Sequence, residues 1–135
     1  MRMSHRFLTA AATALLLAPA NAQDRRDTAF DVAFFERVAV GDVEITPFGI
    51  VEDTRCLDYR LCFRSDRLVV SAVVHQYDGS WREIRLSLDE LTPVRRGALL
   101  LTNGGTRPVR NGGIPLERYR LDIVFVPQSD GYGVR

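Results

Sequence analysis

The sequence contains little of what a metal or redox site needs. Lysine is absent, so all 18 basic residues are arginine, and there are only two cysteines and two histidines. One histidine lies close to the N-terminus, so His75 is the only histidine after residue 22. A zinc site needs three or four sulfur, nitrogen or carboxylate ligands. We therefore expect no metal and no other cofactor.

The first residues have the features of a secretory signal peptide. Arg2 and Arg6 precede an apolar run over residues 7–18, and residues 20–22 are Ala-Asn-Ala, which fits a cleavage site. The apolar run is too short for a membrane anchor, and no longer one follows it. We expect cleavage after Ala22 and a periplasmic protein of 113 residues (135 − 22) without a transmembrane segment.

The sequence after the leader has the pattern of short β-strands. Apolar and polar residues alternate on both sides of Gly41 and Asp42 and again over residues 81–88. The β-branched run over 67–77 predicts a strand buried on both faces, and runs over 97–102 and 119–126 predict two more. Six or seven strands predict an all-β domain over residues 23–126. We expect a small antiparallel β-sandwich, immunoglobulin-like, with a small open barrel as the alternative.

Turn and breaker residues mark the ends of these strands. Residues 78–80, Asp-Gly-Ser, predict a hairpin turn, and Pro47 predicts a sheet edge or a bulge. Residues 88–93 resemble a helical turn too short to matter, and residues 127–135 form a polar tail.

Cys56 and Cys62 stand six residues apart. Paired cysteines in an exported domain usually form a disulfide, which would stabilise this chain by about 2 kcal/mol on the chain-entropy estimate. Metal binding and redox chemistry are the alternatives, but reactive pairs favour a C-x-x-C spacing. We expect a structural disulfide.

Part of the chain resembles a group of small exported proteobacterial proteins. In that group a strand leads into the motif E-D-S-R-C-P, a second cysteine and W-A-G follow, and a Tyr-Arg pair opens the last strand. The resemblance spans residues 38–125, with Thr54 and Leu57 at the serine and proline positions and Phe-Arg-Ser over 63–65. It implies export, a disulfide and a β fold, and it implies no activity. The matching residues are Glu52, Asp53, Arg55, Cys56, Cys62, Tyr119 and Arg120.

Few residues have the spacing of catalytic groups. His75 is the one histidine available as a general base, and Ser71, on the same strand face, is about 13 Å away, too far for a nucleophile–base pair. Carboxylates surround the cysteines, but arginines lie among them, so we predict a salt-bridge network of Glu52, Asp53 and Arg55. A small hydrolase using His75 or the carboxylates near Glu52 and Asp53 is the alternative function.

Charge is distributed unevenly along the chain. Residues 24–90 contain 14 acidic residues and 9 arginines, whereas residues 91–135 contain 3 and 7. Glycines beside arginines can bind anions through backbone amides and guanidinium groups. We therefore expect a non-catalytic binding or accessory module, which contacts a periplasmic protein or an anionic envelope component and not nucleic acid. Its basic loops, over residues 95–120, carry Arg95, Arg96, Arg107, Arg110, Arg118 and Arg120.

Overall fold

The computed structural model describes residues 26–56, 66–108 and 113–129. Within these ranges the secondary structure is eight β-strands and one turn of 3₁₀ helix, at Leu116–Arg118. In chain order the strands are β1 Thr28–Val32, β2 Val38–Val40, β3 Val43–Asp53, β4 Leu68–His75, β5 Trp81–Ser87, β6 Leu91–Val94, β7 Gly97–Asn103 and β8 Leu121–Pro127. They form two four-stranded antiparallel sheets: sheet I in the order β1-β8-β7-β6, and sheet II in the order β2-β3-β4-β5.

The sequence of β4 fits its place inside sheet II. This strand pairs with β3 on one side and β5 on the other. It is rich in valine, and six of its eight residues are buried. β-Branched side chains pack well on a pleated surface. The prediction of a strand buried on both faces is confirmed.

The strand order is that of a meander. Within each sheet, strands that follow one another in the chain lie side by side, and β1 completes sheet I beside β8. The chain passes from one sheet to the other between β1 and β2 and between β5 and β6. The immunoglobulin fold instead has Greek-key connections, so the order in the described residues differs from the immunoglobulin-like order that we expected.

One hydrophobic cluster contains side chains from both sheets. Alternate residues of most strands enter the cluster, as the period of two requires, and the opposite face of each sheet points away from it. β6 contributes only the partly buried Val94, which packs against the cluster. The members from sheet II are Val40, Val43, Ile45, Leu68, Val70, Ala72, Val74, Ile84 and Leu86. The members from sheet I and the residues beside it are Val32, Phe34, Leu99, Leu101, Tyr119, Leu121, Ile123 and Phe125.

Three local features show where the sequence pattern is sufficient to predict the strands and where it is not. The register of β3 against β4 shifts between Pro47 and Gly49, so the expected bulge is present. Strand β1 was not predicted, because it is short, irregular in register and carries an exposed Phe30. Residues 88–93, which resemble a helical turn, include the start of β6, because pairing with β7 decides their conformation.

Candidate functional site

Polar side chains gather at one end of the two sheets, which we call the cluster end. It consists of residues 53–56, 66–67, 103–108 and 113–120, where β3 and β7 finish and β4 and β8 begin. Asp53 pairs with Leu68, a fully buried core residue. Directly paired residues project to the same face of a sheet. The carboxylate of Asp53 therefore points inward, where burial requires a partner for its charge.

Arg55 is that partner. Its Nε and Nη2 atoms donate hydrogen bonds of 2.8 Å to the two carboxylate oxygens of Asp53, which makes the pair bidentate. Its Nη1 and Nη2 atoms also reach the carbonyl oxygens of Gly105 and Thr106, at 3.3 and 2.9 Å. The side chains of Arg55 and Asp53 are only 2% and 7% exposed. One guanidinium thus joins the end of β3 to a loop 50 residues further along the chain.

Tyr119 closes the cluster from the side of β8. Its hydroxyl donates a 2.7 Å hydrogen bond to Asp53 Oδ2. Its ring lies edge-on to Phe34, with 5.6 Å between the ring centroids, and 5.7 Å from the guanidinium carbon of Arg55. In the described part of the chain no buried side-chain nitrogen or oxygen lacks a hydrogen-bond partner. This arrangement is a satisfied polar network.

The electrostatics of this network hold its groups in fixed protonation states. Burial disfavours the charged carboxylate, but hydrogen bonds from Arg55 and Tyr119 and the charge of Arg55 outweigh it, so the pKa of Asp53 is lower than its ordinary value. Burial, the hydrogen bond to Asp53 and the charge of that carboxylate raise the pKa of Tyr119 to about 12. Neither group titrates near neutral pH, where a general acid or base needs its pKa.

Glycine is required in the loop that Arg55 holds. A Cβ atom on Gly104 would lie 2.2 Å from Leu68 Cδ2 and 2.7 Å from Arg55 Nη1. Gly105 has a φ of +68°, which L side chains rarely adopt. The loop therefore approaches the buried pair more closely than any larger residue would permit.

A second set of contacts joins Cys56, Asp66 and Arg107. The backbone N–H of Cys56 and Nη1 of Arg107 donate to Asp66 Oδ1, at 2.9 and 2.8 Å, and Nη1 of Arg107 also reaches the carbonyl oxygen of Cys56, at 2.8 Å. Burial disfavours the charge of Asp66, but hydrogen bonds from Arg107 and Cys56 lower its pKa below the ordinary value. Cys56 is not a free cysteine, and Cys62 lies outside the described residues, so the pairing of the two stays a prediction.

The predicted salt-bridge network is divided between two partners. Asp53 and Arg55 contact each other as described. Glu52 instead faces Arg67, with 3.7 Å between Oε2 and Nε and both side chains more than a third exposed. Because neighbouring residues of a strand project to opposite faces, Glu52 points outward where Asp53 points inward.

The basic loops over residues 95–120 do not lie on one surface. Arg95 and Arg96 form the turn between β6 and β7, whereas the other described arginines of this group follow the far end of β7. Seven residues of strand separate these ends by about 20 Å. These arginines are close in the sequence, but they do not form one basic surface.

Three of the five described arginines of these loops have polar contacts of their own. Arg95 lies 3.3 Å from Asp78, and Arg107 pairs with Asp66. Arg120 donates to the carbonyl oxygens of Glu117 and Tyr119, at 2.8 and 2.7 Å, and its Nε lies 3.7 Å from Asp31. Arg96 and Arg118 are exposed and belong to no ion pair among the described residues. Arg110 lies outside the described residues.

His75 lies far from Glu52 and Asp53, the carboxylates named in the hydrolase alternative. It pairs with Glu44 in β3 and Trp81 in β5, whereas Asp53 pairs with Leu68 at the opposite end of β4. The two ends of β4 are about 23 Å apart. The histidine and the cluster therefore belong to separate regions of the surface.

Other local arrangements in the described ranges also bear on chemistry. No group of three or more His, Cys, Asp and Glu side chains there has the proximity that a metal site needs. A groove of about 340 Å³ lies between β1 and β2, and its lining includes Thr28, Phe30 and Val38. No helix in the described ranges has the length and hydropathy to cross a membrane.

Comparison with protein-family models, with curated proteins and with solved structures finds no significant match to this chain. The three residues of the buried network, Asp53, Arg55 and Tyr119, are nevertheless all among those that carried the resemblance to small exported proteins. The local spacing of Asp53 and Arg55 indicated their pairing, but no sequence spacing connected them to Tyr119, which is 66 residues from Asp53.

Proposed function

We propose that this chain is an exported, non-catalytic binding module of the periplasm, which contacts a protein or an anionic envelope component through the cluster end. Arg118 and Arg120 are the contact residues among those described, because they lie on the loop surface that the buried network fixes in place. The remaining basic loop, at Arg95 and Arg96, lies at the opposite end of the sheet and is not part of this site.

The observation that carries the proposal is the set of hydrogen bonds by which Arg55 joins two distant segments of the chain. Its hydrogen bonds to Asp53, Gly105 and Thr106 hold a loop of the cluster end against the end of β3. Tyr119 ties the segment before β8 to the same carboxylate. Binding residues commonly stand on loops that a rigid scaffold positions, and fixed loops lose less conformational entropy on binding. The network therefore supplies a preformed frame for a contact surface.

Hydrolysis has weaker support. The carboxylate of Asp53 is occupied by Arg55 and Tyr119 and has a lowered pKa, so it is a poor proton acceptor. His75 has no described carboxylate of the cluster end within reach. We therefore prefer binding over the hydrolase alternative.

Two structural features complete the proposal. We infer a disulfide between Cys56 and Cys62, since Cys56 is not free and the chain contains no third cysteine. We also infer that the two sheets form a sandwich, because each contributes one face to a single core. In the described residues no strand ladder joins β5 to β6 or β1 to β2. The meander order of the strands is that of an up-and-down barrel opened at these two places.

Arg118→Glu tests the binding site, with Arg85→Glu, at an exposed position on the outward face of sheet II, as the matched control. Each protein is sedimented with vesicles of phosphatidylglycerol and of phosphatidylcholine at low and high salt. Binding to the anionic vesicles alone, weakened by salt and by Arg118→Glu but not by Arg85→Glu, supports an anionic component. A photocrosslinker at position 118 in exporting cells tests a protein partner, with position 85 as control. Equal results at both positions in both experiments would refute the site.

A further inference from the structure

The face of sheet I that points away from the core, called the outer face of sheet I, is apolar. Directly paired residues lie side by side on one face, and register places two apolar rows across β6, β7 and β8. These rows are Leu91–Leu100–Val124 and Pro93–Ala98–Val126, with Thr28 beside Val124 on β1. Leu91 and Val126 are 60% and 38% exposed, and Phe30, further along β1, is 73% exposed. The apolar residues of β6, β7 and β8 are contiguous.

The corresponding face of sheet II is mixed. Its outward positions include Glu44, Glu83 and Arg85 beside His75 and the exposed Trp81, and Arg37 donates a hydrogen bond to Glu44. Charged residues therefore interrupt its apolar positions. A contiguous apolar face on the surface of a small domain instead indicates an interaction site.

The face is open to a partner, whereas the neighbouring edge of the sheet is not. β6 is the edge strand, and its Pro93 has no N–H to offer to another strand. The carbonyl oxygen of Pro93 accepts a 2.6 Å hydrogen bond from Arg82 of β5, and Thr92 Oγ1 donates to the carbonyl oxygen of Arg85. A partner is therefore expected on the face and not along the edge.

The charges at the two ends of the face have opposite signs. Asp89 and Glu90 precede β6 at one end, and Arg95 and Arg96 follow it at the other. Asp122 lies at the same end, in the row beyond Val124. This end is also the cluster end, where Arg120 contacts Asp31 of β1, so the acidic excess lies on the β6 side of the face. Asp89, Glu90 and Arg96 are exposed and belong to no ion pair in the described part of the chain. Arg95 has only its exposed contact with Asp78.

We propose that a second copy of this chain covers the outer face of sheet I, with its strands running in the reversed direction. Two identical faces pack about a two-fold axis that lies in the interface. An axis parallel to the strands would bring the two acidic ends together. An axis perpendicular to the strands places β6 over β6, with Glu90 of each copy near Arg96 of the other. Charge complementarity selects the second arrangement.

Side-chain sizes agree with this arrangement. Reversal about the centre of the face sets the row Leu91–Leu100–Val124 of one copy over the row Pro93–Ala98–Val126 of the other. The large Leu100 then faces the small Ala98, as interdigitation at a sheet spacing of about 10 Å requires.

A face of four short strands is at the small end of stable interfaces, which bury about 1,200 Å² or more in total. We therefore expect a reversible dimer that dissociates on dilution, and its cluster ends point in opposite directions.

Sedimentation velocity of the exported chain over a concentration series tests the dimer. The variant Leu100→Glu places a charge in the centre of the face without touching the core, and Val51→Glu places the same charge on β3 of sheet II, where Val51 is 48% exposed. We expect a monomer–dimer equilibrium in the original chain and in Val51→Glu. Leu100→Glu should dissociate at least about tenfold more readily, the effect of losing one central contact. Circular dichroism verifies that each variant is folded.

Charge reversal tests the orientation. Glu90→Arg and Arg96→Glu should each weaken the dimer, and the double variant should restore it, because each copy then meets the opposite charge again. A chain that stays monomeric at the highest soluble concentration, with the face left to a lipid surface or another protein, overturns the proposal. Equal effects of Leu100→Glu and Val51→Glu, or a double variant weaker than both single ones, overturn it as well.

Discussion

The hydroxyl of Tyr119 donates a 2.7 Å hydrogen bond to Oδ2 of Asp53, the oxygen to which Arg55 Nη2 also donates. Asp53 ends β3, and Tyr119 stands two residues before β8. The contact therefore joins the two sheets at the cluster end through a carboxylate that has no open position toward the interior. The contribution of this contact to the free energy of unfolding can be measured.

Tyr119→Phe should reduce the free energy of unfolding by about 1.5–3 kcal/mol, because a hydrogen bond to a charged group is lost while the ring packing remains. Urea denaturation measures the change. In a double-mutant cycle with Asp53→Asn, the two effects should be non-additive, since the residues share one interaction. Additive effects would show that the hydroxyl does not act through Asp53.

Arg55→Met should be far more destabilising than an exposed arginine replacement. It leaves the buried carboxylate of Asp53 without its charge partner, which costs about 3–5 kcal/mol, and removes the donors to the carbonyls of Gly105 and Thr106. Arg85→Met, on the outward face of sheet II, is the matched control and should change stability by less than about 0.5 kcal/mol. Arg55→Lys should recover only part of the loss, because lysine cannot make the bidentate contact.

Gly104→Ala should disturb the same loop from the other side. The added Cβ would meet Leu68 and Arg55 at 2.2 and 2.7 Å, so we expect a loss of about 1–3 kcal/mol from overpacking. Gly113→Ala is the matched control, because nothing lies within 4 Å of a Cβ atom there. If both variants unfold at the same urea concentration, the close approach of the loop to the buried pair is incorrect.

Much of the fold could be predicted from periodicity, whereas only the pairing of Asp53 with Arg55 could be predicted for the site. Alternation identified most strands, because β5 and β8 each place one apolar face on the core. β1 has no such alternation, and its membership of sheet I depends on β8, about 90 residues later.

The carbonyl partners of Arg55 are equally non-local. Gly105 and Thr106 follow it by 50 and 51 residues, and no local spacing predicts them. Arg95 and Arg107 are close in the sequence, yet β7 carries them to opposite ends of the sheet. Sequence distance resembles spatial distance only within a strand or a turn.

The stability of the domain should be level near neutral pH and fall at both extremes. The pKa values of Asp53 and Asp66 are lower in the folded state than their ordinary value. Their contribution is therefore present above about pH 4, the unfolded value, and is lost as the pH falls through the folded pKa. The pKa of Tyr119 is raised from 10.0 to about 12, so its contribution is complete below pH 10 and is lost as the pH rises toward 12.

Urea denaturation across the pH range separates these contributions. We call the fall in unfolding free energy at low pH the acid limb and the fall at high pH the alkaline limb. Asp53→Asn should make the acid limb less steep, because the residue no longer takes up a proton on unfolding. Tyr119→Phe should flatten the alkaline limb and leave the Asp66 part of the acid limb in place. Tyr119 sits between Asp53, whose charge raises its pKa, and Arg55, whose charge lowers it, so Arg55→Met should move the alkaline limb to higher pH. An alkaline limb unchanged in Tyr119→Phe would mean that another group produces it.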